Sequence, residues 1–224
     1  MADHIVWDWN GTLFNDAHIA YEAAAEVFRT HGLPSVTFEQ YRAAFTRPIS
    51  AFHEKLFGSQ CDPATFDRFD RDFHDAYRRR LYRCGLTADA LAALASWHAT
   101  GKSQSLLSMW RHPELEAAVR AYGITRWFTR IDGLSGPGGG RKAVHLARHL
   151  GELGISGDKV AVIGDSADDA HAAEAAGAHC VLYAGGYQDR ATLEGVGVPV
   201  THTLTGAVDL ILSAGYESTT RPAG

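Results

Sequence analysis

After Gly101 the chain alternates short apolar runs with helix-patterned segments, and this alternation constrains the fold more than any other feature. Ser103–Ser108 reads as a strand, Pro113–Tyr122 as a helix closed by Gly123, and Trp127–Leu134 includes another strand. A helix over Arg141–Leu153, the wholly apolar strand Val160–Ile163 and a helix from about Asp168 to Ala176 follow. Cys180–Tyr183 is a further strand, and Val200–Ser213 holds one more short strand and helix. Strands separated by helices pair in parallel, so the pattern predicts an α/β chain with a Rossmann-like doubly wound sheet. One earlier strand, Ile5-Val6-Trp7, ends at Asp8 and is followed by Asn10-Gly11. Such a pair can close a hairpin. The next segment, Asp16–His31, is instead Ala-rich and helical, with Gly32 and Pro34 as stop signals, so no partner strand follows.

Between these two regions lies a block of helices reaching to about residue 100. Thr37-Phe38-Glu39-Gln40 fits a capping box, and Asp62-Pro63 fits an N-cap followed by proline at the first helical position. Phe66, Phe69, Phe73, Tyr77 and Leu81 recur at helical spacing and are expected to form a packing face. Thr87–Ala99 is another helix, ended by Gly101, and the tail beyond Ala214 is expected to be loose. The chain therefore reads as one strand, a helical insertion, and then the remainder of an α/β sheet.

Composition narrows the function classes. Hydrophobic residues make up 46% and charged residues 21%, which supports a packed core. The net charge of -5 leaves no basic footprint for nucleic acid. No apolar run approaches the length of about 20 residues that spans a bilayer. Met1–His4 leads into a short apolar run without the basic flank of a secretion signal, so a cytoplasmic protein is expected. Cys61, Cys84 and Cys180 are scattered and odd in number, which fits reduced thiols better than a disulfide framework or zinc site. The twelve histidines are read as surface or packing residues.

The chemistry-bearing residues fall at predicted strand ends, where open α/β sheets bind ligands. Asp8 follows the first strand, Asp165 follows Val160–Gly164, and Asp169 lies four residues further on. Carboxylates converging at one sheet edge repel one another unless a cation is present, and hard oxygen ligands suit magnesium. Three simpler patterns carry no function. Asn10-Gly11-Thr12 is a glycosylation sequon with no expected secretion, and Arg78-Arg79-Arg80 reads as a solvated helix face. Gly136-Pro137-Gly138-Gly139-Gly140 lacks the third glycine of a dinucleotide fingerprint and reads as a flexible loop delivering Lys142.

Asp8-Trp9-Asn10-Gly11-Thr12 resembles the first motif of the haloacid dehalogenase superfamily, and Gly164-Asp165-Ser166-Ala167-Asp168-Asp169 resembles its acidic fourth motif. Ser108 and Lys142 stand where the second and third motifs have Ser or Thr and Lys. The helical insertion is similar to the α-helical cap of the phosphoglycolate phosphatase-like branch. The resemblance implies a core of residues 1–15 and 88–224 with a cap of residues 16–87. It also implies a Mg2+-dependent phosphatase acting on a small phosphorylated metabolite through an aspartyl-phosphate, as a monomer or homodimer. Asp8 would be the nucleophile, and Asp8, the Asn10 carbonyl, Asp165 and Asp169 the metal set. Ser108 and Lys142 would hold the phosphoryl oxygens, with Gly11, Thr12 and Met109 beside them. Arg47, before Pro48 in the insertion, is a candidate substrate contact from the cap. Asn10 departs from the motif, whose second acid normally protonates the leaving group. Phosphonate-hydrolase-like or phosphotransfer chemistry, and a catalytically weakened binding module, are the alternatives this leaves open.

Overall fold

The computed structural model describes residues 2–58, 62–136 and 140–213. Cys61, the centre of the Gly136–Gly140 loop and the tail beyond Ala214 lie outside the described residues. Six strands form one parallel sheet: β1 (His4–Trp7), β2 (Ser103–Arg111), β3 (Ile131–Leu134), β4 (Val160–Gly164), β5 (His179–Tyr183) and β6 (Val200–Thr201). Their order is β3-β2-β1-β4-β5-β6. The order reverses between β1 and β4, which places a crevice at the carboxyl ends of those two strands.

Both faces of the sheet are covered, so β4 is apolar on both sides, while β1, β2 and β3 bury His4, Gln104, Ser105 and Asp132 among their apolar residues. Ile5, Trp7, Leu106, Ala161, Ile163 and Val181 face α5 (Ala90–Ala99), α6 (His112–Ala121) and α10 (Leu204–Ser213). Val6, Leu107, Val160, Val162 and Leu182 face α7 (Lys142–Leu153), α8 (Ala167–Ala175) and α9 (Arg190–Glu194). Successive residues of β4 thus serve opposite layers, as the pleat requires.

Four helices, α1 (Ala17–Thr30), α2 (Phe38–Ala44), α3 (Ile49–Phe57) and α4 (Pro63–Arg78), stand between β1 and β2 as an inserted helical cap. Ala24, Phe28, Tyr41 and Phe52 form one cap core, and Ile19, Ala20, Ala23, Ala76 and Tyr77 join α1 to α4. The expected capping box at Thr37 is formed, and Asp62 accepts the Thr65 amide at 3.0 Å. The arginine run is not merely a solvated face. Arg79 pairs with Glu26 of α1 at 2.6 Å, Arg80 reaches Glu22 and Glu26, and Arg78 reaches Glu114 beyond the cap.

Two boundaries differ from the sequence reading, each for a local reason, and two helices are additional to it. β2 does not end at Ser108 but continues to Arg111, which regains pairing with Leu134 after a register irregularity. α5 begins at Ala90 rather than Thr87, because the Thr87 amide and hydroxyl bond the Leu13 and Thr12 carbonyls of the loop after β1. The short helices α3 and α9 were not foreseen.

Two histidines expected to be surface or packing residues belong to a buried polar chain. Asp132 accepts from Arg130 Nε at 2.6 Å and lies 2.7 Å from His149 Nδ1, while His149 Nε2 is 2.7 Å from Ser105 Oγ. The same hydroxyl lies 2.7 Å from His4 Nε2, and His4 Nδ1 lies 2.7 Å from Ser103 Oγ. An ionised Asp132 only accepts, so one set of protons satisfies every member. Ser103 donates to His4, His4 to Ser105, Ser105 to His149 and His149 to Asp132, with both imidazoles neutral. Cys84 and Cys180 are free thiols.

Candidate active site

The chemistry-bearing side chains gather at the crevice between β1 and β4. Asp8 continues β1, its amide bonded to the Ile163 carbonyl at 2.9 Å. Asp165 follows β4, and Asp169 lies in the first turn of α8. One carboxylate oxygen from each of Asp8, Asp165 and Asp169 falls within 4.8 Å of the others, and all three residues are buried. Lys142, first residue of α7, brings its ammonium to Asp8 and, at 2.6 Å, to Asp169. Its backbone amide is fixed by Asp168 at 3.1 Å.

Each carboxylate is differently supported. Asp169 Oδ2 accepts from the Ser166 hydroxyl at 2.6 Å and amide at 3.1 Å, a capping box at the head of α8. Asp165 accepts from the Tyr187 amide at 2.5 Å and from Thr12 Oγ1 at 3.3 Å. Close approach of backbone to Asp165 demands glycine: a Cβ on Gly11, at φ +75°, would meet Asp165 Oδ2 at 2.2 Å, and one on Gly186 would meet it at 2.1 Å.

The electrostatics follow from burial. Burial pushes the Asp8 carboxyl up to about 7, opposed by Lys142. Asp165 is pushed well above the carboxylate range by burial and by the charges of Asp8 and Asp169. Burial acts against Asp169 too, but the Lys142 charge and the Lys142 and Ser166 hydrogen bonds hold it below its ordinary value. Lys142 stays charged because Asp169 and Asp8 more than offset its own burial. Three buried carboxylates therefore face a single ammonium. Ionising all three would leave them outnumbering it, which is why Asp8 and Asp165 are raised; such a site, with its all-oxygen donor set, fits a hard divalent cation such as magnesium.

The Asn10 carboxamide is fixed at both ends by hydrogen bonds. Its Nδ2 donates to Asp16 Oδ2 at 2.9 Å and to Tyr77 OH at 3.2 Å, and its Oδ1 accepts from Ser108 Oγ at 3.2 Å. Asp16 also accepts from Tyr77 OH at 2.5 Å, Tyr187 OH at 2.8 Å and the Gly11 amide at 2.7 Å. It thus ties the loop after β1, the cap helix α4 and the loop after β5 together. Sequence reading missed Asp16, Tyr77 and Tyr187 as site residues. Only Tyr187 left a usable signal, since Gly185-Gly186-Tyr187 follows a strand on the same sheet edge.

A cavity of about 450 Å³ opens from Asp8, Asn10, Ser108, Met109, Lys142, Asp165 and Asp169 into the cap, where Arg47 also lines it. Gly11 and Thr12 do not line it; the Thr12 hydroxyl serves Asp165 instead.

The family profile described as hydrolase, haloacid dehalogenase-like hydrolase, matches residues 2–177. This chain belongs to the haloacid dehalogenase-like hydrolases and is an enzyme of that family. No curated protein matches it in sequence. Among solved structures it is similar to a "predicted phosphatase" from Clostridium acetobutylicum, with TM-score 0.82 and 15% identity over 95% of this chain and 99% of the other. A "predicted phosphoglycolate phosphatase" from Haemophilus somnus gives TM-score 0.74 and 17% identity over 94% and 98% of the two chains. A mutant CbbY from Rhodobacter sphaeroides, solved with xylulose-1,5-bisphosphate, gives 0.71 and 21% over 92% and 96%. At these identities the likeness is one of fold. No helix among the described residues is long and apolar enough to cross a membrane.

Proposed function

We propose that this chain is a magnesium-dependent phosphatase of a small phosphorylated metabolite, with Asp8 as the nucleophile. The observation that carries the reading is the convergence of Asp8, Asp165 and Asp169 around one lysine at the mouth of a cavity. Asp8, Asp165 and Asp169, with the Asn10 carbonyl, would hold the magnesium, whose chemistry when bound would be charge neutralisation and orientation of the phosphoryl group. Asp8 supplies a carboxylate oxygen in line with the phosphorus, and its bond to phosphorus forms as the ester oxygen departs with the P–O electron pair. Lys142 and the Ser108 hydroxyl hold the transferring oxygens. Water then attacks phosphorus, the Asp8–phosphorus bond breaks, and the carboxylate is regenerated.

In this reading residues 1–15 and 88–224 form the catalytic core and residues 16–87 the cap that selects substrate, with Arg47 reaching an anionic group. The free thiols at Cys84 and Cys180 agree with a reducing, cytoplasmic setting. The second reading, chemistry needing no second acid, draws on the engagement of the Asn10 carboxamide by Asp16. The deciding experiment is hydrolysis of p-nitrophenyl phosphate with and without magnesium, beside Asp8→Asn. Magnesium-dependent phosphate release that Asp8→Asn loses supports the phosphatase. Release independent of Asp8 overturns it, and phosphate binding without turnover favours a weakened binding module.

A further inference from the structure

We infer, resting on the phosphatase reading, that the substrate is a phosphate monoester whose alcohol part carries an aromatic ring. Each cap helix turns a ring into the cavity that begins at Asp8: Phe28 from α1, Tyr41 from α2, Phe52 from α3 and Phe69 from α4. These four are buried, with 2%, 2%, 4% and 7% of their surface exposed. Tyr41 packs edge to face on Phe52 at 5.1 Å and 78°, and the lining leaves about 450 Å³ open. That volume holds a phosphate and a ring system.

The α4 stripe of Phe66, Phe69, Phe73 and Tyr77, expected from its spacing to be packing alone, lines this space. Most ionisable cap residues on the lining lie toward solvent, Asp67 and Asp70 exposed and Arg47 and His74 half-exposed, and the one buried among the rings, His53, stacks on Phe69 at 5.5 Å. A polyol seated among the buried rings would lose hydration, with the Tyr41 hydroxyl the one polar group those four offer it. An aromatic ring would instead gain offset or edge-to-face contacts on several sides. At the core end Asp8 displaces the ester oxygen from phosphorus, and the alcohol leaves with the electron pair and takes a proton from solvent. Water's oxygen ends on phosphate, so the sum is monoester plus water giving alcohol plus inorganic phosphate.

The test compares 2-phenylethyl phosphate with glycerol 1-phosphate in the presence of magnesium, since both release primary alcohols and leaving-group chemistry largely cancels. Burying one ring predicts a kcat/KM ratio of roughly 10–100-fold in favour of the phenylethyl ester. Phe52→Leu and Phe69→Leu, which keep the apolar volume but remove the ring, should lower that ratio. Calorimetric binding of non-hydrolysable 2-phenylethylphosphonate to the wild-type protein with magnesium gives a readout independent of any variant's folding. Turnover of both esters with a ratio at or below one, or no phosphonate binding, overturns the inference and leaves the phosphatase standing. Hydrolysis of neither ester, nor of p-nitrophenyl phosphate, overturns both.

Discussion

Asn10 Nδ2 lies 2.9 Å from Asp16 Oδ2, so the carboxamide standing at the motif's usual acid position is itself clasped by a buried carboxylate. Asp16 cannot substitute as the acid. Its oxygens accept from Asn10, Gly11, Tyr77 and Tyr187, and it does not line the cavity.

The first prediction concerns leaving groups. General acid assistance is worth roughly 10²–10⁴-fold, and a carboxamide at position 10 cannot supply it. Rates over a series of aryl and alkyl phosphates should therefore fall steeply as the leaving group becomes more basic. Asn10→Asp places two carboxyls within hydrogen-bond distance, where they share one proton, so the new side chain arrives protonated. Alkyl phosphate turnover should rise by about 10²-fold, while aryl phosphate rates change little. An unaltered slope in the variant, with no phosphoenzyme build-up in the parent by rapid quench, would count against this account.

Asp8→Asn should reduce turnover to background while preserving the fold. The substitution removes a carboxyl that burial has pushed up to about 7, and Lys142 keeps Asp169 at 2.6 Å. Thermal unfolding without magnesium should give a Tm no lower than that of the parent. A well-folded variant with substantial metal-dependent hydrolysis would remove Asp8 from the nucleophile role.

Magnesium should stabilise the parent. A cation at a hundred times its Kd contributes about 2.7 kcal/mol. Asp165→Asn should lose most of that gain, because one of the converging carboxylates becomes neutral. The same variant should be no less stable than the parent when magnesium is absent, since Asp8 and Asp169 no longer repel it. Titrating Tm against magnesium for both proteins checks the two halves together. An unchanged magnesium response would place the cation elsewhere.

The legible residues were those whose position follows from local pattern. Asp8 and Asp165 directly follow apolar strands and Asp169 lies one turn beyond Asp165, whereas Lys142 and Ser108 stand out only through the family resemblance, since a helix-opening lysine or a strand-end serine carries no local signal of its own. Asp16 was read as no more than a helix start, because its partners are remote: Tyr77 is 61 residues away and Tyr187 is 171. Such convergence depends on the packing of α1 against α4 and on the β5 crossover, neither of which a local window contains. The α4 stripe shows the same limit. Helical spacing marks an apolar face, but packing and cavity lining leave the same periodicity. The five residues of α9 are too few for any period, and only its cap, Asp189 on the Thr192 amide at 2.7 Å, marks it.

The final prediction rests on the buried chain from His4 to Asp132. Burial, with the nearby His149, lowers His4 from 6.5 to about 4, and burial lowers His149. A lowered histidine is neutral in the folded protein, while the unfolded chain takes up the proton near 6.5. The unfolded state therefore binds more protons between the two values, and stability falls as pH drops through that window. The stabilisation from neutral His4 is fully present above pH 6.5, and about 3 kcal/mol is lost by pH 4. His4→Gln keeps a donor and an acceptor without titrating, so denaturant unfolding of that variant should show a flatter profile from pH 6.5 to 4. Ser105→Ala strips the partner from both His4 Nε2 and His149 Nε2, and should cost about 2 kcal/mol or more at neutral pH. A His4→Gln protein with the parent's full acid sensitivity would shift the titrating group elsewhere, and a neutral Ser105→Ala would show the chain to be dispensable to the fold.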